Sequence, residues 1–330
     1  MKNINYLWGG ILAVLMMCSS CNDEWKEEQY TQYACLKAPA GSTVTQIRVK
    51  YKGDKATLYR LPVTISGTTA NVKDRDIHIV LDPDTLEIYN KEHYYNRIDL
   101  YFRLLDKSFY SIPEPVVHIP KGVQSGLLDI QLKLKNLDLV DRWILPLVIE
   151  DDPSYNYQAH PRKNYNNALL WITPFNDYSG TYGSTNLSVY TATSTNPIIV
   201  NNRESYVVDE NSIFFYAGVT KEERKDRKYF KVIATFTADT ESTGTVSLEA
   251  AYPNMINFQV VGQPTYQIVD IMDSSRPTLL RRTTTISMQY TFEDALETPG
   301  LTTKYTVKGT MSMQRNINTL IDDEEFAVEW

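Results

Sequence analysis

Beyond residue 32, the chain consists of short runs in which apolar and other residues alternate. In the run 56–66 (ATLYRLPVTIS), for example, Leu61, Val63 and Ile65 occupy every second position. A period of two places such side chains on one face of a strand, so the pattern predicts half-buried β-strands. The one helix that we predict covers residues 82–94, with Pro83 near its start.

Seven such runs lie in the first half of the chain, at 43–51, 56–66, 76–81, 116–119, 127–134, 143–149 and 168–173. This number of short strands is typical of an immunoglobulin-like β-sandwich, which we predict over residues 33–174. Proline has no backbone N–H, so Pro62 and Pro146, which fall inside two of the runs, are expected at sheet edges or bulges. Residues 151–167 interrupt the pattern with polar residues, two prolines and three tyrosines, which predicts a long loop.

The alternation continues in the second half of the chain. After a turn and a strand within 175–190, strands are predicted at 205–208, 213–216, 229–237, 245–250, 257–261, 265–271, 283–292 and 305–314. Their even spacing predicts a lipocalin-like antiparallel β-barrel over residues 175–330, because closure of the sheet removes unpaired edges. A second sandwich would give a similar pattern, so closure of the barrel stays open here. The predicted fold class is all-β in either case.

The amino terminus has the features of a secretion signal. Lys2 is followed by an apolar run of eleven residues, 7–17. This run is too short to cross a hydrocarbon core of about 30 Å, which takes about 20 residues. A basic start, a short apolar run and small residues before a cleavage point predict that residues 1–20 are a lipoprotein signal peptide.

Two cysteines, Cys18 and Cys21, are candidate sites for lipid attachment. Small residues precede Cys21, whereas the large Met17 precedes Cys18. We therefore predict that Cys21 is the lipid-bearing first residue, and Cys18 is the alternative. Cleavage before Cys21 removes Cys18, so the C-x-x-C pair does not persist as a redox or zinc motif. Acyl chains would hold the protein on a membrane, with the polar stretch 21–32 as a tether.

The charge balance excludes one class of partner. The 330 residues include 33 Lys and Arg against 40 Asp and Glu, a formal net charge of −7. An acidic chain lacks the basic surface that binds nucleic acid. The sequence has no glycine-rich phosphate loop, G-x-S-x-G motif, calcium loop or H-E-x-x-H motif. We expect no cofactor, metal site or catalytic residue, although so many acids leave a chance carboxylate pair of the glycosidase type open.

Exposed aromatic residues are the remaining candidate chemistry, since aromatic rings stack on the C–H faces of sugars. The first candidate cluster lies in the 151–167 loop and consists of Tyr155, Tyr157, His160, Arg162, Asn164 and Tyr165. The second candidate is Trp330, which follows an acidic run. Trp143 and Trp171 lie within apolar strands, so we expect both in the core.

Five stretches carry a resemblance to a known family. They are SCNDEW at 20–25, LPVTISGTT at 61–69, LDPDTLEIYNKE at 81–92, LKNLDLVDRWILPLVIEDDPSYNY at 134–157 and PFNDYSGTY at 174–182. The chain resembles surface glycan-binding lipoproteins from glycan-uptake loci of the starch-utilisation-system type. The resemblance implies an immunoglobulin-like domain before a lipocalin-like β-domain, and a TonB-dependent transporter with its lipoprotein lid as partners. The resemblance does not identify any ligand-binding residue in this sequence.

The acids behind Cys21 resemble the export tag of surface lipoproteins in the Bacteroidetes type of envelope. We therefore expect a lipid-anchored protein on the outer membrane, at the cell surface, that captures oligosaccharide or polysaccharide and is not an enzyme. Three alternatives stay open: a glycoside hydrolase or related lyase, a carrier of lipid or another small apolar ligand, and a structural adhesive module. Two convergent carboxylates in a cleft would favour the first alternative, and an open barrel interior would favour the second.

Overall fold

The computed structural model describes residues 28–37, 43–298 and 300–330. Nearly all of the regular structure is β-strand, which confirms the all-β class. Within these residues, no helix is long and apolar enough to cross a membrane. The predicted signal peptide, Cys18, Cys21 and most of the predicted tether lie outside the described residues.

The first half of the chain forms two stacked sheets. Its elements are β1 (Ala34–Leu36), β2 (Val44–Lys50), β3 (Thr57–Ile65), β4 (Arg75–Leu81), α1 (Pro83–Tyr94), β5 (Phe102–Leu104), β6 (Tyr110–Ser111), β7 (Val116–Ile119), β8 (Ser125–Leu132), β9 (Arg142–Ile149), α2 (Lys163–Asn166) and β10 (Asn167–Phe175). One sheet has the order β1-β3-β8-β6, and the other has the order β2-β10-β9-β4-β7 with β5 beside β9. Apolar side chains of both sheets meet in one core, so this half is a β-sandwich.

Burial in the sandwich follows the alternation of the sequence. Along β8, Leu128, Ile130 and Leu132 are buried, while the residues between them are exposed. Burying a side chain of this size contributes about 1.5–3 kcal/mol relative to leaving it in water. The alternation therefore fixes which face of each strand is turned towards the core.

Helix α1 covers the outer face of the second sheet. It begins at the predicted position, where the Asp82 carboxylate accepts a hydrogen bond from the Thr85 amide (3.1 Å). An aspartate at this cap position satisfies an amide that has no partner within the helix. Leu86 then packs against Phe102 and Ile144, which attaches the helix to the sheet.

The expectation that Pro62 and Pro146 lie at sheet edges or bulges is wrong, because both are in inner strands with a continuous pairing register. Pro62 is in β3, between β1 and β8, and Pro146 is in β9, between β10 and β4. Their carbonyls accept hydrogen bonds from the amides of Lys37 (2.9 Å) and Asp82 (3.1 Å). Each of these donors is the first residue after the end of its strand. In a strand, the N–H and C=O of one residue point to the same neighbouring strand. The N–H that each proline lacks would therefore point to a neighbour that has already ended, so no ladder hydrogen bond is lost.

The second half of the chain forms a closed barrel. Its elements are β11 (Gly180–Gly183), β12 (Leu187–Thr191), β13 (Ile198–Ile199), β14 (Asn202–Val207), β15 (Ser212–Tyr216), β16 (Lys231–Ala238), β17 (Thr243–Ala250), α3 (Pro253–Ile256), β18 (Gln259–Val260), β19 (Thr265–Met272), β20 (Leu279–Thr298), β21 (Leu301–Asn318), α4 (Glu324–Ala327) and β22 (Val328–Glu329). Eight of the strands form an antiparallel ring in the order β11-β14-β15-β16-β17-β19-β20-β21, and β21 returns to β11. This up-and-down ring is the lipocalin-like arrangement, and its closure decides against a second sandwich.

The ring closes where β11 and β12 run along β21. Gly183 in β11 pairs with Ser312, and Leu187 in β12 pairs with Gly309. Gly309 has a φ of 130°, and a Cβ at this position would lie 2.0 Å from the carbonyl oxygen of Asn186. Only glycine fits this close approach of two backbones, so the closure depends on it.

The barrel interior is a packed core. Its buried aromatic side chains are Tyr182, Phe215, Phe230, Phe236, Tyr266, Tyr290, Phe292 and Tyr305. The rings of Phe292 and Tyr305 stack at 4.9 Å between centroids, and the ring of Phe236 stacks on that of Tyr178 at 3.9 Å. Eight strands enclose a space that side chains just fill. A filled interior argues against the alternative of a carrier of lipid or another apolar ligand.

The barrel docks on the sandwich through strands β14 and β15. Val207, Phe214 and Tyr216 point away from the barrel interior and join the core of the sandwich. Beside them, the Arg227 guanidinium donates hydrogen bonds to the carbonyl oxygens of Asp99 (3.1 Å) and Val140 (3.0 Å). The two halves therefore share a continuous apolar contact that is closed by hydrogen bonds at its rim.

Candidate ligand-binding site

A cleft of about 580 Å³ lies at the junction of sandwich and barrel, and we call it the junction cleft. Its floor is the outer face of β2 and β10, where parallel pairing places Gln46 beside Trp171 and Arg48 beside Thr173. The Gln46 side-chain amide donates a hydrogen bond to the Thr173 hydroxyl (3.2 Å). Because strand residues alternate, these four side chains all point away from the sandwich core.

The opposite wall of the junction cleft is the outer face of the barrel. Thr181 in β11 donates its hydroxyl proton to the Glu204 carboxylate in β14 (2.7 Å). On β21, the Gln314 amide donates to the Asn316 side-chain oxygen (3.1 Å). The wall therefore presents hydroxyl, amide and carboxylate groups that are fixed on rigid strands.

Trp330 closes one end of the junction cleft. The last strand, β22, pairs with β21 so that Glu329 lies opposite Asn316, and this pairing carries Trp330 into the cleft. The indole packs on the edge of Phe175, with 4.9 Å between centroids, and the Arg48 guanidinium lies 4.6 Å from the indole centroid. Even so, 56% of the Trp330 surface stays exposed. The ring is held in place by its neighbours but remains open to a ligand.

Trp171 lies towards the other end of the junction cleft. Its indole packs edge-on against Phe102 at 5.6 Å and is half-buried, so Trp171 lies at the margin of a small apolar cluster rather than fully inside the core. Trp143 is likewise half-buried and packs against the core of the sandwich. Trp171 and Phe175 are four residues apart on β10, which corresponds to about 13 Å along the strand. Two indoles thus line the same cleft as a set of polar side chains, both neutral and charged.

The Tyr157 side chain is buried and holds its own loop against the neighbouring strands. Only 3% of its surface is exposed, and its hydroxyl donates to the Glu150 carbonyl (2.7 Å) while it accepts from the His78 amide (3.1 Å). Burial raises the pKa of the Tyr157 hydroxyl to about 12, so the hydroxyl stays protonated. The ring of Tyr157 is thus almost wholly enclosed, although it lines cavities beside the loop.

Two aromatic groups of the loop lie at a cavity of about 470 Å³, which Tyr157 also lines and which we call the loop cavity. Tyr155 stacks on His78 at 4.2 Å, and its hydroxyl donates to the Glu150 carboxylate (2.8 Å). His160 contacts Tyr165 at 4.8 Å between ring centroids. Tyr155 and His160 both line the loop cavity.

Arg162 follows on the exposed side of the loop. Its backbone amide donates to Nδ1 of His160 (3.1 Å), and its side chain lies on the surface. Trp330 lines a different cavity, so the residues singled out from the sequence do not form one site. The structure divides them between the loop cavity and the junction cleft.

Sequence reasoning missed most of the junction cleft. Gln46 and Thr173 are 127 residues apart in the chain and meet only because β2 and β10 pair in parallel. A lone glutamine on a strand resembles any other solvent-facing residue. The only available signal was the exposed face of each strand, which does not reveal what lies opposite.

Metal binding and thiol chemistry find little support in the described residues. No group of three or more His, Cys, Asp or Glu side chains among them is placed to hold a metal ion. Cys35 is buried in β1, and burial raises the pKa of its thiol. A protonated, enclosed thiol is a poor nucleophile.

Comparison with known proteins places the chain among Bacteroides proteins. The family model DUF4973, described as a domain of unknown function, matches residues 25–153, and a model described as a C-terminal domain matches residues 166–312. None of the curated protein sequences matches the chain.

Several solved structures are similar over nearly the whole chain. A Bacteroides ovatus protein of unknown function is 42% identical with a TM-score of 0.82, and the match covers 91% of this chain and all of that one (100%). A protein described as an auxiliary nutrient binding protein, from Bacteroides thetaiotaomicron, is 34% identical with a TM-score of 0.81 over 88% of this chain and 96% of that one. The chain belongs to this family of Bacteroides proteins, with a DUF4973 domain in its N-terminal part.

Proposed function

We propose that this protein is a surface lipoprotein that captures oligosaccharide in the junction cleft without cleaving it. The observation that carries the proposal is the pair of indoles, Trp171 and Trp330, with the amide side chains of Gln46, Gln314 and Asn316 in the same cleft. This composition matches the two kinds of surface that a sugar ring presents.

The chemistry of the junction cleft suits a neutral saccharide. A pyranose exposes C–H faces that pack on aromatic rings, and a rim of hydroxyls that donate and accept hydrogen bonds. The amides of Gln46, Gln314 and Asn316 do both, so each can pair with a hydroxyl in either role. Rigid strands carry these groups, which keeps the entropic cost of ordering the site low.

The proposed mechanism is capture next to a transporter. A lipid on Cys21 would tether the protein at the outer face of the outer membrane. Tethering raises the local concentration of bound glycan near a TonB-dependent transporter and its lipoprotein lid, so modest affinity suffices. The similar protein described as nutrient-binding supports a role of this kind.

Hydrolysis is the weaker hypothesis because of how the carboxylates of the junction cleft are engaged. Glu329 accepts two hydrogen bonds from the Arg276 guanidinium (2.9 and 2.8 Å), and Glu204 accepts the Thr181 hydroxyl. A glycosidase needs one carboxylic acid that holds a proton and one free carboxylate on either side of the scissile bond. A carboxylate that is paired with an arginine, as that of Glu329 is, suits neither role.

The test compares tryptophan variants with an aromatic control. The protein from residue 22 onward is screened on a glycan array, and affinities for the best ligand are measured for Trp171→Ala, Trp330→Ala and Tyr165→Ala. Loss of one stacking ring is expected to weaken binding about tenfold, or roughly 1.4 kcal/mol. Tyr165 is also an exposed aromatic residue but lies outside the junction cleft, so its loss should have little effect.

Three results would contradict the proposal. Binding of no glycan by the intact protein would exclude capture. Loss of affinity in Tyr165→Ala with no change in either tryptophan variant would move the site to the 151–167 loop. Release of reducing sugar from the bound glycan would replace capture by hydrolysis.

A further inference from the structure

A second cavity between the two halves, of about 470 Å³, is lined mainly by charged side chains. We call it the basic pocket. Its cationic side chains are Arg103 from the sandwich and Lys225, Arg227, Lys228 and Lys231 from the barrel. It shares no lining residue with the junction cleft.

Two of the three acids in the basic pocket are already neutralised. Asp99 accepts hydrogen bonds from Nε and Nη2 of Arg97 (3.0 and 2.7 Å), and Arg97 is not part of the lining. Asp138 forms an ion pair with the Lys231 ammonium at 2.9 Å. The pocket therefore keeps one loosely held carboxylate, that of Asp141.

Apart from Lys231, the four cations of the basic pocket have only the Asp141 carboxylate to balance their charge. Asp141 lies 3.8 Å from the Arg103 guanidinium and 4.0 Å from that of Arg227, distances longer than a hydrogen bond. Lys225 and Lys228 form no ion pair within 4 Å with any carboxylate of residues 28–37, 43–298 and 300–330. The basic pocket is therefore locally positive, although the chain has a formal net charge of −7. Such a concentration of positive charge between low-dielectric walls attracts anions.

The walls of the basic pocket are held before any ligand arrives. Arg227 is only 7% exposed, and its guanidinium donates to the carbonyls of Asp99 and Val140, which belong to the sandwich. Its other terminal nitrogen donates to the Arg224 carbonyl (3.3 Å). These bonds join the two sides of the pocket, so binding would require little rearrangement.

An exposed aromatic ring stands beside the cations. Tyr252 lines the basic pocket with 44% of its surface exposed, and its ring meets the edge of Tyr229 at 5.2 Å. The Lys228 ammonium lies 5.0 Å from the Tyr229 centroid. A ring that packs on C–H groups, next to ammonium groups that form no close ion pair within the described residues, fits a sugar that carries an anionic substituent.

We propose that the basic pocket binds an acidic saccharide through its carboxylate or sulfate group, with Lys225 and Lys228 as the anion contacts and Tyr252 as the ring that packs on the sugar. The site is separate from the junction cleft, so the protein would engage a glycan at two places. The inference does not depend on the function proposed for the junction cleft.

The test titrates the protein from residue 22 onward with oligogalacturonate, with chondroitin sulfate fragments and with sodium sulfate, at low and at moderate ionic strength. The double variant Lys225→Gln/Lys228→Gln removes two charges from the pocket, while Lys107→Gln/Lys133→Gln removes two exposed charges elsewhere. We expect at least one acidic saccharide to bind, about tenfold more weakly in the pocket variant and unchanged in the control. Added salt should weaken binding, because exposed charges are screened.

Each contrary outcome overturns a stated part of the proposal. Binding of none of the three probes at low ionic strength, or equal loss in both double variants, overturns the site. If sodium sulfate binds as tightly as the saccharides and Tyr252→Ala changes neither affinity, the saccharide assignment is overturned and the ligand is an inorganic anion. Trp330→Ala should leave these affinities unchanged, so failure of the junction cleft and failure of the basic pocket are distinguishable.

Discussion

Replacing Glu222 by glutamine should change how the stability of the protein depends on pH. Glu222 lies largely buried where the barrel meets the sandwich, and its carboxylate accepts the hydroxyl proton of Tyr206 (2.9 Å). Burial raises the pKa of Glu222 to about 7, and the nearby charges of Glu204 and Glu223 add to this effect. The Tyr206 hydrogen bond and the charge of Arg227 lower the pKa and oppose the shift only in part.

The sign and size of the effect follow from the two pKa values. Between pH 4.5, the ordinary value, and about pH 7, folded Glu222 holds a proton that the unfolded chain has released. The free energy of unfolding therefore falls as pH rises through this window, by about 1.4 kcal/mol per pH unit. Two and a half units give a decline of up to about 3 kcal/mol, which is complete above the folded pKa.

Urea unfolding from about pH 5 to about pH 8 measures this decline directly. Glutamine still accepts the Tyr206 hydrogen bond but does not ionise, so Glu222→Gln should gain stability over the native protein as pH rises, by up to about 3 kcal/mol at the alkaline end. Glu241→Gln, which removes an exposed barrel charge that is not among those acting on the Glu222 pKa, is the matched control. A stability difference between Glu222→Gln and the native protein that stays constant across this range would refute the reasoning.

Two further predictions concern the anchor and the closure of the barrel. Cys21→Ser should move the protein from the membrane fraction to the soluble fraction, whereas Cys18→Ser should leave it in the membrane; the reverse result would assign the lipid to Cys18. Gly309→Ala should lower the free energy of unfolding by more than about 1 kcal/mol, because it places a Cβ against the Asn186 carbonyl at a positive φ. Gly183→Ala, whose Cβ would meet nothing closer than 3.6 Å, should cost less, and equal losses in the two variants would contradict this account of the closure.

The sequence by itself determined the class and the elements of this protein. A period of two shows which face of a strand is buried, so most strands of the sandwich and barrel were predicted close to their observed bounds, as was helix α1. The cap at Asp82 is likewise a local signal, which explains why the start of the helix was predictable. The short strands β5, β6, β13 and β22 were missed, because two or three residues are too few to show a period, and a single strand was predicted where β11 and β12 lie.

Only the tertiary structure decided which strands meet. Closure of the barrel through Gly183 and Ser312, and the meeting of Gln46 with Thr173 across 127 residues, depend on pairing between distant segments, which the period of a single strand does not encode. Packing between distant segments also decides which aromatic side chains are exposed. The sequence marked Tyr157 and Trp330 alike as candidates, but burial depends on what packs against a ring, and the fold enclosed Tyr157 while it left Trp330 open in the junction cleft.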